Sequence, residues 1–394
     1  MLKNNSHIHL PPNFSAFTTV QQVIDQAVAQ DVRVIGVTNY YDYRVYRQFT
    51  DAARKARIFP LYGLEIISLV DELVKSGVKI NDPGNPGRMY ICGKGVTKFD
   101  PVPPAAAVIL EKIRSADVSR MREMIVKAGE AFRKLGVDLG VTETGVKQMI
   151  VRRHNCPADM VYLQERHIAQ AYQEAIFSSV PASQRTELLA KVYGVAPKAP
   201  IDDAVKTQNE FRANLLRAGK PAFVTESFVS DAEARKMILA MGGIPCYPTL
   251  ADGATPLCPY EQTPETLIAN IQGMGVTMAE FIPVRNTPEV LYKYVKAMRS
   301  AGIAVVGGTE HNTLDLIPLE PTCVKGAAIP DEVKSIFWEG VCVIAAHQDL
   351  ADKGEAGFVD SHGNPNSKYA GADERIKAFA AMGEKAILTY LNGR

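Results

Sequence analysis

The sequence is short of several things, and each shortage narrows the function. Its 394 residues include only six cysteines and seven histidines. Cys92, Cys156, Cys246, Cys258, Cys323 and Cys342 are scattered, and no CxxC pair occurs. That spacing gives no sign of a structural zinc site or a redox dithiol, and it predicts reduced, mostly buried thiols. Excess charge is missing too: 44 basic and 43 acidic residues leave a net charge of +1. No global field therefore draws the chain to nucleic acid or to an anionic membrane. No apolar run approaches the ~20 residues of a membrane span. The opening MLKNNSHIHLPPNF has no apolar stretch of signal-peptide length. A soluble, cytoplasmic protein is expected, without internal repeats or low-complexity tracts.

What the chain does have is alternation. The stretches VRVIGVTN, IFPLYGLEIISLV and GRMYICGKGV read as strands, and VQQVIDQAVAQD and FTDAARKA read as helices between them. From about residue 108 to 220 the pattern turns helical, with AAAVILEKIRSADVSRMREMIVKAGEAFRKLG as its longest segment. Alternation then resumes, with GIPCYPTL, TMAEFIPV and IAVVGGTEHN as strands. An α/β barrel is predicted in three parts: barrel over 1–107, helical insertion over 108–220, and barrel with C-terminal helices over 221–394. The Gly- and Asn-rich stretch DKGEAGFVDSHGNPNSKYAGAD is expected to be a surface loop.

In barrels, function sits where strands end. SHIH, VTNYYDY, GLE, CYPTL, AEF and GGTEHN all place polar residues where apolar runs stop. Side chains two apart on a strand point the same way, so His7 and His9 could aim at one cation. Neutral imidazole binds borderline metals at ~2.0–2.1 Å. Glu65, a lone acid within YGLEIIS, is expected to face a polar site. His154, His347 and His362 carry no motif and are expected to be structural.

Taken in order, SHIHL, GVTNYYD, YGLEI, RMYICG, ERHIAQA, GGIPCYP, AEF and GGTEHN resemble the PHP (polymerase and histidinol phosphatase) family over nearly the whole chain. The resemblance implies a distorted (β/α)7 TIM-like barrel with a helical insertion. It also implies up to three metal ions held by histidines, a glutamate and an aspartate, and phosphoester hydrolysis. His7 and His9 stand at the HxH positions, Glu65 at the bridging glutamate and His311 at the last histidine.

Elsewhere the pattern breaks. Three expected histidines are Tyr40, Tyr90 and Tyr247; the late aspartate is Thr309, with Glu310 beside it. Asn13, Phe14 and Ser15 stand where an acidic or histidine ligand is expected. A neutral phenol, with a pKa near 10, is a poor ligand. The expectation is therefore about one ion (Mn, Fe or Zn) on His7, His9 and Glu65, rather than three.

With fewer ions, basic side chains must stabilise phosphoryl charge. Lys94, Arg166, His167 and Arg285 are the candidates, with Tyr40 and Tyr247 lining the substrate pocket. His311 and Glu310 would manage protons. The expected ligand is a small phosphorylated or anionic metabolite. The alternative is a decayed barrel that binds such a metabolite without turnover. An amidohydrolase relative ranks last, because its lysine and further histidines are not found.

Overall fold

β-branched runs become strands, and strands end where the polar residues begin. The computed structural model describes residues 1–225 and 228–393. In chain order the first elements are β1 (Lys3–Ile8), α1 (Val20–Gln30), β2 (Val32–Tyr40), α2 (Val45–Ala56), β3 (Phe59–Leu69), α3 (Asp71–Lys75) and β4 (Arg88–Lys94). Between β4 and the next strand come only helices: α4 (Pro104–Arg133), α5 (Glu143–His154), α6 (Glu165–Ser179), α7 (Ala182–Tyr193) and α8 (Ala204–Phe211). The alternation then resumes through β5 (Val229–Ser230), α9 (Asp231–Ala240), β6 (Ile244–Thr249), α10 (Pro264–Gly273), β7 (Met278–Phe281), α11 (Pro288–Ser300) and β8 (Ala304–Gly307). Two long helices follow, α12 (Asp331–Asp352) and α13 (Ala372–Leu391).

Seven strands form the wall in the order β1-β2-β3-β4-β6-β7-β8, with the short β5 attached to β3. The chain after β8 returns to β1 through a parallel bridge between Ile8 and Glu310. The result is the expected α/β fold, a distorted and nearly closed barrel. Its distortion is β4, which runs antiparallel to both β3 and β6. The five-residue α3 is too short to carry the chain back across the sheet, so β4 folds against β3 as a hairpin partner.

α4 joins two apolar layers. Ile109, Leu110 and Ile113 near its start belong to the barrel core. Met124, Ile125 and Phe132 further along pack with Ile168, Tyr172 and Phe211 of the helical segment. α12 and α13 pack through Trp338, Val341 and Phe379 against Ile244, Met278 and Ala304. The six cysteines are free, and all but Cys156 are buried. Among the described residues, no helix is long and apolar enough to cross a membrane.

Candidate metal centre and anion cavity

Barrel closure sets the first two side chains. Thr309 and Glu310 donate their backbone N–H groups to the His7 carbonyl at 3.1 and 2.8 Å, and His9 donates its own to the Glu310 carbonyl at 2.9 Å. Gly308 permits this approach, because a Cβ there would lie 2.5 Å from the His7 Cβ. His7, in β1, and His9, one residue past it, are each 1% exposed. Glu65 pairs in register with Tyr40 on β2 and Cys92 on β4. Paired neighbours share a face of the sheet, so these three look toward the same interior as the histidines.

Three ligand-type atoms meet there. His7 Nε2 lies 3.4 Å from His9 Nε2, and Glu65 Oε2 lies 3.4 Å from His9 Nε2 and 3.7 Å from His7 Nε2. Ligands of a tetrahedral ion bound at ~2.1 Å stand ~3.4 Å apart, so the triangle has the size of one ion's coordination edge. Buried polar atoms normally find partners. Here Glu65 Oε2 and His9 Nδ1 have no hydrogen-bond partner. Burial pushes the His9 pKa down, which favours the neutral ring that binds a cation. Tyr40 stacks on the His9 ring at 5.3 Å, within 5° of parallel. Two imidazoles and a carboxylate can hold a single Mn, Fe or Zn ion.

Behind His7 stands a residue that sequence reasoning passed over. Glu280 on β7 is fully buried and faces His7 Nδ1 with both oxygens, at 3.0 and 3.1 Å. With Nδ1–H donating to this carboxylate, Nε2 keeps its lone pair for the triangle. The signal was present in MAEF, an acid inside an apolar strand, the same signal that singled out Glu65. Burial opposes the Glu280 charge, but Lys94 and His7 outweigh it and hold the carboxyl below its ordinary range. Lys94 Nζ is 2.5 Å from Glu280 Oε2 and also donates to the Ser6 carbonyl at 3.2 Å. His7, Cys92 and Glu280 make a second group with metal-ligating atoms, but the Lys94 ammonium already supplies positive charge there.

Beside the triangle opens a cavity of about 330 Å³, lined by Glu65, Tyr40, Tyr90 and six arginines: Arg88, Arg120, Arg166, Arg212, Arg217 and Arg285. Four of these come from the chain between β4 and β5, on α4, on α6 and just after α8. Sequence reasoning found Arg166 and Arg285. The rest were not legible, because nothing in their spacing says that separate helices bring them together. Three have close carboxylate partners: Arg88 with Asp82, Arg120 with Glu165, and Arg285 with both oxygens of Glu310. Arg166 differs. Among the described residues its only side-chain hydrogen bond goes to Asn312 at 3.4 Å, and burial followed by repulsion from Arg212 pulls its pKa down to about 9. Among the described residues the one carboxylate near Arg212 is Glu165 at 3.8 Å, and its Nε has no hydrogen-bond partner there. Two under-compensated guanidinium groups side by side favour an anion.

Four residues expected in the site lie elsewhere. Lys94 is 2% exposed beneath the triangle, bound to Glu280 rather than facing the cavity. His167 accepts the Gln164 N–H at the start of α6 at 3.1 Å and packs edge-on against Phe14. Burial lowers its pKa to about 3. Tyr247 donates to Glu261 at 2.7 Å, and that carboxylate holds the backbone of Leu250 and Ala251. His311 is closed on both sides: Thr309 Oγ1 lies 2.6 Å from Nδ1, and Nε2 donates to the Ile317 carbonyl at 2.9 Å. Glu310 and His311 both take left-handed backbone, φ 60° and 51°. Glu310 lines the cavity and His311 does not. Tyr40, Tyr90, Arg166, Arg285 and Glu310 do line it.

No family model matches the chain. No curated protein matches it in sequence. Solved structures do match in fold. A candidate metal-dependent phosphoesterase from Bifidobacterium adolescentis aligns with a TM-score of 0.56 at 15% identity, over 84% of this chain and 94% of that one. An amidohydrolase from Chromobacterium violaceum, solved with sulfate and no metal, aligns at 0.53 and 20% identity, over 85% and 96%. At such identity the likeness speaks for the barrel alone.

Proposed function

We propose that the chain is a divergent PHP-type hydrolase of small phosphoesters, using one divalent ion on His7, His9 and Glu65. The observation that carries this reading is the triangle of Nε2, Nε2 and Oε2 atoms beside an arginine-lined cavity. When bound, a Mn, Fe or Zn ion would act as a Lewis acid on a phosphoryl oxygen. The chain's own residues do the rest. Glu280 keeps His7 Nε2 turned to the ion. Arg166, which forms no ion pair among the described residues, offers guanidinium donors to the phosphoryl oxygens, with Arg212 beyond it. Burial and the nearby Glu65 carboxylate keep the Tyr40 phenol protonated, so it can donate a hydrogen bond at the cavity wall.

The experiment is metal analysis joined to a phosphatase panel. Purified protein is expected to carry about one equivalent of metal and to hydrolyse at least one phosphomonoester, with His7→Ala abolishing both. Absence of metal after loading with Mn, Fe and Zn would end this reading.

A second reading, an anion-binding barrel without turnover, is favoured by one observation. Neither residue expected to manage protons is free: His311 is closed by Thr309 and Ile317, and Glu310 is paired with Arg285. Metal bound at one equivalent with no metal-dependent turnover would select this reading.

A further inference from the structure

At the opposite end of the barrel lies a second cavity of about 340 Å³. It is walled by Thr277 and Ile303, which immediately precede β7 and β8, and by Ser367, Gly371, Ala372 and Arg375. The triangle sits at the carboxyl ends of strands, so this cavity is remote from it. Among the described residues Arg375 is the only charged side chain on its wall, and no aspartate or glutamate lines it.

Arg375 is buried, at 4% exposure. Its guanidinium lies over the Phe358 ring at 4.6 Å. Its Nε has no hydrogen-bond partner, and among the described residues no carboxylate acts on it. A buried guanidinium without a counter-charge is expensive, and such groups are normally paired. The second observation is the helix that carries it. α13 is 20 residues long, and its N-cap, Gly371, offers no side-chain acceptor. The first N–H groups of such a helix are left over and bear partial positive charge. Neither acid of the first turn fills that role: Asp373 is bound to Arg299 and Lys377, each at 2.7 Å, and Glu374 does not line the cavity.

We infer that this cavity binds a tetrahedral oxyanion, a phosphate group, between the Arg375 guanidinium and the amino-terminal N–H groups of α13. Thr277 and Ser367 line the same wall, and each carries a hydroxyl able to donate to the remaining oxygens. The site is separate from the metal centre and stands whether or not the chain is a hydrolase. The group could be inorganic phosphate or the phosphate of a small ester, since both present the same three or four oxygens.

The test is calorimetric titration of the full chain, stripped of metal by chelation, with inorganic phosphate. Arg166→Met separates any binding in the arginine-lined cavity. The expected result is a binding step that persists in Arg166→Met and weakens about tenfold or more in Arg375→Gln. Ser367→Glu changes an exposed residue and adds a carboxylate to the wall that Arg375 shares, so it decides the matter should Arg375→Gln fail to fold; it is expected to remove the same step. Repeating the titration with glycerol phosphate assigns the source: equal or tighter binding indicates an ester, weaker binding the free ion, and either supports the site. A step that survives both Arg375→Gln and Ser367→Glu, or no step beyond the one Arg166→Met removes, overturns the inference.

Discussion

The carboxylate of Glu280 joins two buried side chains: one oxygen lies 3.0 Å from His7 Nδ1 and the other 2.5 Å from the Lys94 ammonium. One acid therefore fixes which nitrogen of His7 faces the triangle, and a lysine in turn holds the acid ionised. Outer partners of this kind tune metal affinity nearly as strongly as ligands do.

Glu280→Gln is accordingly expected to weaken metal binding about 10- to 100-fold while all three ligands remain. Competition with a chelating dye measures it. Unchanged affinity would mean that His7 needs no help from β7.

Lys94→Met leaves Glu280 buried without its counter-charge. Breaking one side of such a pair costs about 3–5 kcal/mol, read as a shift in the urea midpoint. The double change Lys94→Met with Glu280→Gln removes both charges and is expected to recover much of that loss. Additive losses in the double-mutant cycle would contradict the pairing.

Arg166→Met removes a guanidinium that forms no ion pair among the described residues and is repelled by Arg212. Folding stability of the metal-free chain is expected to hold or rise, by up to about 1 kcal/mol. Binding of anions in the large cavity is expected to weaken about tenfold or more. Thermal melts and phosphate titrations read the two effects separately. A clear loss of stability would show that Arg166 supports the fold rather than a ligand.

Three buried histidines make the fold sensitive to acid. Burial lowers His311 and His347 to about 4 and His167 to about 3, against ~6.5 in an unfolded chain. The unfolded state takes up these protons first. The stability the neutral rings contribute is thus fully present above about pH 6.5 and is lost as pH falls toward 4. Each ring changes stability by up to roughly 1.4 kcal/mol per pH unit in that window. Glu261 works the other way, since burial raises it to about 7, but it is one group against three. Urea midpoints of the metal-free chain should not fall between pH 7.5 and 6.5, where Glu261 takes up its proton, and should then decline from pH 6.5 through 5.5 to 4.5. A flat profile down to pH 4.5 would refute this account.

The His7, His9 and Glu65 triangle was legible because its residues sit in or directly beside strands. A period of two puts His7 and His9 on one face, and an acid inside an apolar strand has few other reasons to be there. Glu280 carried the same signal and was passed over because it belongs to no ligand motif. Lys94, Tyr247 and His311 were misplaced for a different reason. Position in a motif says that a residue is near a strand end, but not whether a neighbouring carboxylate, carbonyl or hydroxyl has already engaged it. His167 is expected at the cavity from the family resemblance alone, and its ring instead accepts the Gln164 N–H at the start of α6.

By itself the sequence determined the strands, their order of appearance, the helical interruption and the HxH-plus-glutamate set. These follow from local periodicity and from side chains within one or two residues of each other. Only the tertiary structure decided that β4 runs backward, that Glu280 and Lys94 stand behind His7, and that arginines from separate helices share one cavity wall. Each of these depends on contacts between segments tens to hundreds of residues apart. No local pattern encodes such contacts, because they exist only once the barrel has closed.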